Sequence, residues 1–155
     1  MTLNSAGTTT LTGAVNAGSL VTNAGGTTAI NGGSVTTTGT QTYNDNVTLG
    51  ADTILTGSTV TTNGTVAGGT NDLTITGNAV FGDAVADTVT GLGTLSVSGT
   101  TGVNTDTVTS SGIQLYTGNV TLGTDTTLTT TNSAVTFIGT VDSAARAAND
   151  LTVSA

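Results

Sequence analysis

Short runs of alternating apolar and polar residues recur from one end of the chain to the other. QTYNDNVTLG (41–50) and GTLSVSG (93–99) are typical, with Val, Leu or Tyr on one side of the run and Thr, Ser or Asn on the other. A period of two sends successive side chains to opposite faces of a strand, so each run predicts a short strand buried on one side and wetted on the other. Gly- and Asn-rich pieces separate the runs, and these residues accept the left-handed or bulged backbone of a tight corner. SAARAAND (143–150) is the one stretch that reads as helical.

The runs repeat. Residues 27–43, TTAINGGSVTTTGTQTY, align without a gap on residues 100–116, TTGVNTDTVTSSGIQLY, at an offset of 73. NVTLGADTILT (46–56) meets NVTLGTDTTLT (119–129) at the same offset, and GTVAGGTND (64–72) answers GTVDSAARAAND (139–150) with three residues more in the second copy. Each copy is followed by one opening element, LTIT from Leu73 and LTVS from Leu151, which Met1-Thr2-Leu3-Asn4 also resembles. The chain therefore reads as a single domain, 1–155, with a first long repeat over 1–72, a second over 73–150 and the start of a third at 151–155. Thr-rich markers at 8–15, 27–35, 52–60, 75–85, 102–108 and 126–135 give a shorter spacing inside the long one, from about 19 to 26 residues, the coil length of a β-solenoid. Three coils are expected per long repeat, and six to seven in all.

One such coil cannot bury its own apolar side chains. Stacked about 4.8 Å apart, coils pair strand on strand, and inward Val, Leu and Ile form ladders along the axis. The predicted fold is all-β, a parallel β-helix. Asn31 and Asn104 share one repeat position, as do Asn46 and Asn119, and side-chain amide ladders at the turns are expected there. Outward Thr suits a stacked surface, because Lys or Glu in its place would set like charge on like.

Composition narrows the function. The chain holds 42 Thr, 23 Gly and nine Asp, with one Arg and no Lys, Glu, His, Cys, Pro or Trp. It lacks the residues of a Ser-His-Asp triad, a thiolate nucleophile, a Schiff-base lysine, a zinc site or a P-loop, so the expectation is a non-enzyme with no catalytic residue, cofactor or metal. A net charge of −8 with Arg146 as the single cation predicts no nucleic-acid partner, and no apolar run is long enough to predict membrane insertion. Sixteen Val, twelve Leu, five Ile and a mean hydropathy of +0.21 argue against disorder.

With motifs such as NSAGTTTLTGAV, AGGTTAINGGSVTTTGTQTYNDNVTLGADT and LTVSA, the whole chain resembles the repeat regions of large filamentous-haemagglutinin-like adhesins of bacterial surfaces. The resemblance implies a right-handed parallel β-helix, export to the bacterial cell surface or the extracellular space, and a role as stalk or adhesive fibre. The family's Asn-Pro-Asn-type secretion motif has no counterpart in this Pro-free sequence, and no basic or apolar leader run follows Met1. Expected partners are other copies or adjoining repeats, end to end, with host or surface glycans as the alternative.

Four further motifs bear on function. Asn46-Val47-Thr48, Asn63-Gly64-Thr65 and Asn119-Val120-Thr121 satisfy the N-glycosylation rule, with a turn or ladder amide as the competing role. Nine Asp invite a calcium reading, but the GGxGxDxUx repeat is absent and Asp52 with Asp125 is the only acidic pair at one position of the ungapped 73-residue alignment. TTT at 8–10, 36–38 and 129–131 suggests the Thr arrays of ice-binding solenoids, a reading weakened by the wandering coil length. Tyr43 and Tyr116 share a repeat position and are expected about three coils apart in the core or at a corner.

Overall fold

The computed structural model describes residues 1–145 and 147–155; Arg146, and with it the prediction about the lone cation, lies outside the described residues. Twenty-one strands and no helix are present among these residues. The first ten are β1 (Thr2–Leu3), β2 (Thr8–Leu11), β3 (Val15–Ala17), β4 (Leu20–Thr22), β5 (Thr27–Ile30), β6 (Ser34–Thr37), β7 (Gln41–Tyr43), β8 (Asn46–Leu49), β9 (Thr53–Thr62) and β10 (Val66–Ala67). Then come β11 (Leu73–Phe81), β12 (Thr88–Leu92), β13 (Leu95–Val97), β14 (Thr101–Val103), β15 (Thr107–Ser110) and β16 (Gln114–Tyr116). The last five are β17 (Val120–Leu122), β18 (Thr126–Thr129), β19 (Val135–Phe137), β20 (Val141–Ser143) and β21 (Leu151–Ser154).

Every pairing is parallel, and the strands stack in three files that we call faces I, II and III in chain order. Face I holds β1, β4, β7, the second half of β9, the second half of β11, β14, β17 and β20. Face II is a separate eight-stranded sheet, β2-β5-β8-β10-β12-β15-β18-β21. Face III holds β3, β6, the first halves of β9 and β11, β13, β16 and β19. β9 and β11 run through the III–I corner without a break and so join faces I and III into one thirteen-stranded sheet. The result is a β-solenoid of about seven coils, as the alternating pattern predicts.

Alternation decides what is inside. On face III the inward file runs Val15, Val35, Leu55, Ile75, Val97, Tyr116 and Phe137, each paired with the next. Val35, Leu55, Ile75, Val97 and Tyr116 are buried. At the last step the rings of Tyr116 and Phe137 stack with centroids 5.3 Å apart. Burying each Val or Leu contributes roughly 1.5–3 kcal/mol, so cohesion is distributed along the axis.

The long sequence repeat does not span three coils. With the halves of β9 and β11 counted separately, β7 and β16 are eleven strand segments apart, which at three per coil is three and two-thirds coils. Successive repeats are therefore turned by one face. The opening element lies on face I at Met1–Asn4, on face III at Leu73–Thr76 and on face II at Leu151–Ser154. The Thr-rich markers misled because they occupy different faces, so their spacing mixes whole coils with parts of coils.

Coil length, read from face II pairs, varies from 19 residues (Thr28 to Val47) to 25 (Leu128 to Val153). The excess goes into corners. Residues 82–87 lengthen one coil, and residues 131–134 with SAARAAND lengthen another. The described part of SAARAAND is not helical; it forms a turn in which Ala147 N–H donates to Ala144 O at 2.9 Å. Its small side chains make it helix-compatible, but it is too short to bury an apolar face of its own.

Candidate functional site

Inside the solenoid one polar network occurs twice. Gln41 is fully buried; its Nε2 donates to Val35 O at 3.0 Å and Thr56 O at 2.8 Å, and its Oε1 accepts the Tyr43 hydroxyl at 2.8 Å. Gln114 does the same with Val108 O at 3.3 Å, Thr129 O at 3.0 Å and the Tyr116 hydroxyl at 3.1 Å. All four pairs of equivalents are 73 residues apart. Burial pushes both phenols far above their ordinary range, and at Tyr43 the nearby Asp45 carboxylate adds to the effect. The tyrosines thus lie in the core, on face I and face III respectively.

Asparagines hold the corners. Asn31 follows β5 at the II–III corner and Asn104 follows β14 at the I–II corner, a separation that the one-face rotation dictates. Each packs its Oδ1 against a glycine of the next coil, Gly50 over Asn31 and Gly123 over Asn104, where an added Cβ would overlap the amide. Asn46, exposed at the start of β8, accepts Thr65 N–H at 3.0 Å; Asn119, exposed just before β17, accepts Thr140 N–H at 3.2 Å. Asn78 makes the same bond to Thr100 N–H at 3.0 Å. Of the three glycosylation tripeptides, Asn63 is the half-buried one, and its Nδ2 donates to Asn44 Oδ1 at 2.7 Å.

That contact belongs to a ladder the repeat comparison missed. Asn4, Asn23, Asn44, Asn63 and Asn104 each directly follow a face I strand. Asn44 Nδ2 reaches Thr22 O at 2.6 Å, Asn104 Nδ2 reaches Gly82 O at 3.1 Å, and Asn23 Oδ1 accepts Ser5 N–H at 2.7 Å. The signal was available as the recurrence of Asn one residue after the end of an inward-ending strand.

Seven of the nine aspartates fall into three groups. Asp52 Oδ1 accepts Asp72 N–H at 2.9 Å, and Asp125 Oδ1 accepts Asp150 N–H at 2.9 Å, which is one corner lock repeated. Asp83 and Asp87 meet in a turn, where the Asp87 carboxylate caps the amides of Asp83 and Ala84. Asp45 differs, being buried with its carboxylate on the Thr22 hydroxyl at 2.7 Å and the Thr28 hydroxyl at 3.0 Å. Nothing in the repeat comparison marked it, since position 118 is Gly.

Two shallow hollows follow the I–II corner. One, of about 390 Å³, is bordered by Gly7, Gly26, Asn44 and Asp45; the other, of about 380 Å³, by Asp106, Asp125 and Asp150. Among the described residues no three acidic side chains converge on a point where a metal ion would sit. No described helix is long and apolar enough to cross a membrane. What this surface offers chemically is hydroxyl, amide and carboxylate oxygen on a rigid parallel frame. No protein-family model, curated protein or solved structure matches the chain.

Proposed function

We propose that this β-solenoid is a structural module of an extracellular fibre or stalk on a bacterial surface, lengthened by adding repeats or copies end to end. The observation that carries the reading is the eleven-strand repeat. The buried Gln-Tyr network, the corner locks and the Asn-Gly contacts recur at their equivalents although every one has moved to another face. A unit whose local bonds do not depend on face can be added indefinitely without a new interface. The junction itself recurs: Leu73 pairs with Thr53 where the second repeat begins, and Leu151 pairs with Thr126 where the third begins. Adhesion, the cell-surface location and the likeness to filamentous-haemagglutinin-type repeats belong to this proposal.

The test is length. By small-angle scattering and electron microscopy the chain should be a rod of about 35 Å, and chains carrying one or two further 73-residue units should lengthen by about 18 Å each at constant width. Growth in width, or a compact particle, would remove the stalk reading. Labelling of intact source cells with an antibody tests the location separately.

A further inference from the structure

We propose that the outer surface of face II is an ice-binding plane. Its two outward files are almost pure threonine. The first runs Thr8, Thr27, Asn46, Thr65, Thr88, Thr107, Thr127 and Thr152; the second runs Thr10, Ala29, Thr48, Ala67, Thr90, Thr109, Thr129 and Ser154. Twelve of the sixteen positions are Thr and none is charged. The TTT runs at 8–10 and 129–131 supply parts of these files, whereas 36–38 belongs to face III. Coil length, which weighed against the reading in the sequence, leaves the first file unbroken because most of the extra residues sit in corners; the second file is interrupted once, where the register shifts between Val89 and Leu92 and Thr90 loses its direct pairing with Thr109.

The geometry fits a lattice of water. Residues two apart on a strand are separated by about 6.6 Å and neighbouring strands by about 4.8 Å, which gives a grid of hydroxyls close to the oxygen rows of hexagonal ice. Eight strands carry it over roughly 34 Å. Thr has a stiff χ1, so the hydroxyls are held in rows before any ice arrives, and ordering them costs little. Among the described residues only Thr109 has its hydroxyl engaged, accepting Gly91 N–H at 3.0 Å; the other eleven have no protein partner for theirs. Each Thr presents a methyl beside its hydroxyl, which keeps loose water out while the hydroxyl holds an ordered one. The carboxylates of Asp106, Asp125 and Asp150 are not members of either file, but they share one shallow hollow at the corner with Thr107, Thr127 and Thr152 of the first.

A second observation is independent of the spacing. Because the repeat turns by one face, each face II position has an equivalent elsewhere in the chain, and the two can be compared. Thr127 on face II is Ile54 on face III, and Thr107 is Ser34. Ala67 on face II is Asp142 on face I, and Ala29 is Gly102. Thr27, Asn46, Thr48, Thr65, Thr109 and Thr129 keep their residue type in both places. At these four positions face II holds Thr or Ala where the equivalent is Ile, Ser, Asp or Gly, whereas Ser154 on face II answers Thr76 on face III.

The test uses the purified full chain at the surface of a growing ice crystal, with thermal hysteresis and crystal shape as readouts. Thr48 and Thr121 form a matched pair, equivalent in the repeat but on face II and face I. The unmodified chain should show a hysteresis gap and faceted crystals. Thr48→Tyr should lose most of the gap and Thr121→Tyr should keep it, with both retaining the parent circular dichroism. Thr127→Ile, which places the face III residue on face II, should also lower it while keeping the β-branch that favours folding. Absence of hysteresis in the unmodified chain would overturn the proposal, as would equal losses at Thr48 and Thr121, or retention on crystalline chitin or cellulose without hysteresis. None of these outcomes alters the rod length, so the stalk reading stands or falls separately.

Discussion

Tyr43 and Tyr116 make the same hydrogen bond on different faces of the solenoid: the first reaches Gln41 at 2.8 Å on face I, the second Gln114 at 3.1 Å on face III. In both, the glutamine amide also ties two backbone carbonyls of flanking strands. The three faces are therefore interchangeable as far as a strand and its neighbours are concerned. Sequence can repeat every eleven strands, with no need to match a whole number of coils.

Equivalence of the two networks makes a quantitative prediction. Gln41→Ala and Gln114→Ala each leave two carbonyls and a buried tyrosine hydroxyl short of a partner, and each should cost about 3 kcal/mol or more. The sites are about 18 Å apart along the axis by the coil spacing, so the double variant should be additive within about 0.5 kcal/mol. Urea denaturation of the three variants checks this. A large cost at one site with almost none at the other would show that the faces are not equivalent.

The same equivalence explains what was legible in the sequence. Strands, inward ladders and the solenoid follow from a period of two and from the 73-residue match, because burial and pairing are dictated by alternation within each run. The number of coils per repeat was not legible, since a strand looks alike on any face and Gly-Asn corners do not say which corner they turn. Asp45 escaped for a related reason: its burial comes from the tight Asn44-Asp45-Asn46 corner, and its two hydroxyl partners, Thr22 and Thr28, lie 23 and 17 residues away. The face II array was visible only as scattered TTT runs until the pairing placed Thr8 beside Thr27 and Thr107 beside Thr127.

Glycine is required at the III–I corner and optional on the outer wall. Gly77 has φ of +131°, and a Cβ there would penetrate the carbonyl oxygen of Gly57 in the coil below. Gly77→Ala should cost about 3 kcal/mol or more. At Gly102 a Cβ would meet nothing nearer than Val80 Cγ2 at 3.8 Å, an ordinary contact. Gly102→Ala should be neutral or stabilising by up to about 1 kcal/mol, through the lower entropy of the unfolded chain. Equal denaturation midpoints for the two variants would contradict the close approach of β9 and β11.

Two buried hydroxyls provide a stabilisation test. Among the described residues the Oγ1 atoms of Thr62 and Thr101 have no hydrogen-bond partner, although both side chains are buried. Thr62→Val and Thr101→Val keep the shape and remove an unpaired polar atom, so each should raise stability by about 1 kcal/mol. Thr22→Val is the contrasting case, since that hydroxyl donates to Asp45 at 2.7 Å and accepts Asn44 N–H at 3.0 Å. It should cost about 2 kcal/mol. Calorimetric melting temperatures that fall in all three would contradict this assignment of partners.

Alkaline pH isolates the tyrosines, because the chain has no Lys or Cys and a single Arg, so no other side chain titrates between about pH 9 and 12. Both phenols are raised above their ordinary value of 10.0 in the fold by burial, with Asp45 adding to the shift at Tyr43. Unfolding returns them to that value. Above pH 10 the unfolded chain therefore releases two protons that the native chain keeps, and stability falls as pH rises. The contribution is fully present below pH 10 and declines through the interval above it, by up to about 1.4 kcal/mol per pH unit for each tyrosine. Tyr43→Phe and Tyr116→Phe should each remove half of that slope. Each also leaves a glutamine Oε1 without its donor, so the double variant should be less stable than the parent at pH 8 and should approach it as pH rises towards 12. Urea titrations at a series of pH values measure both quantities. A parent stability that stays level from pH 9 to 12 would mean that the two phenols are not buried in the native solenoid.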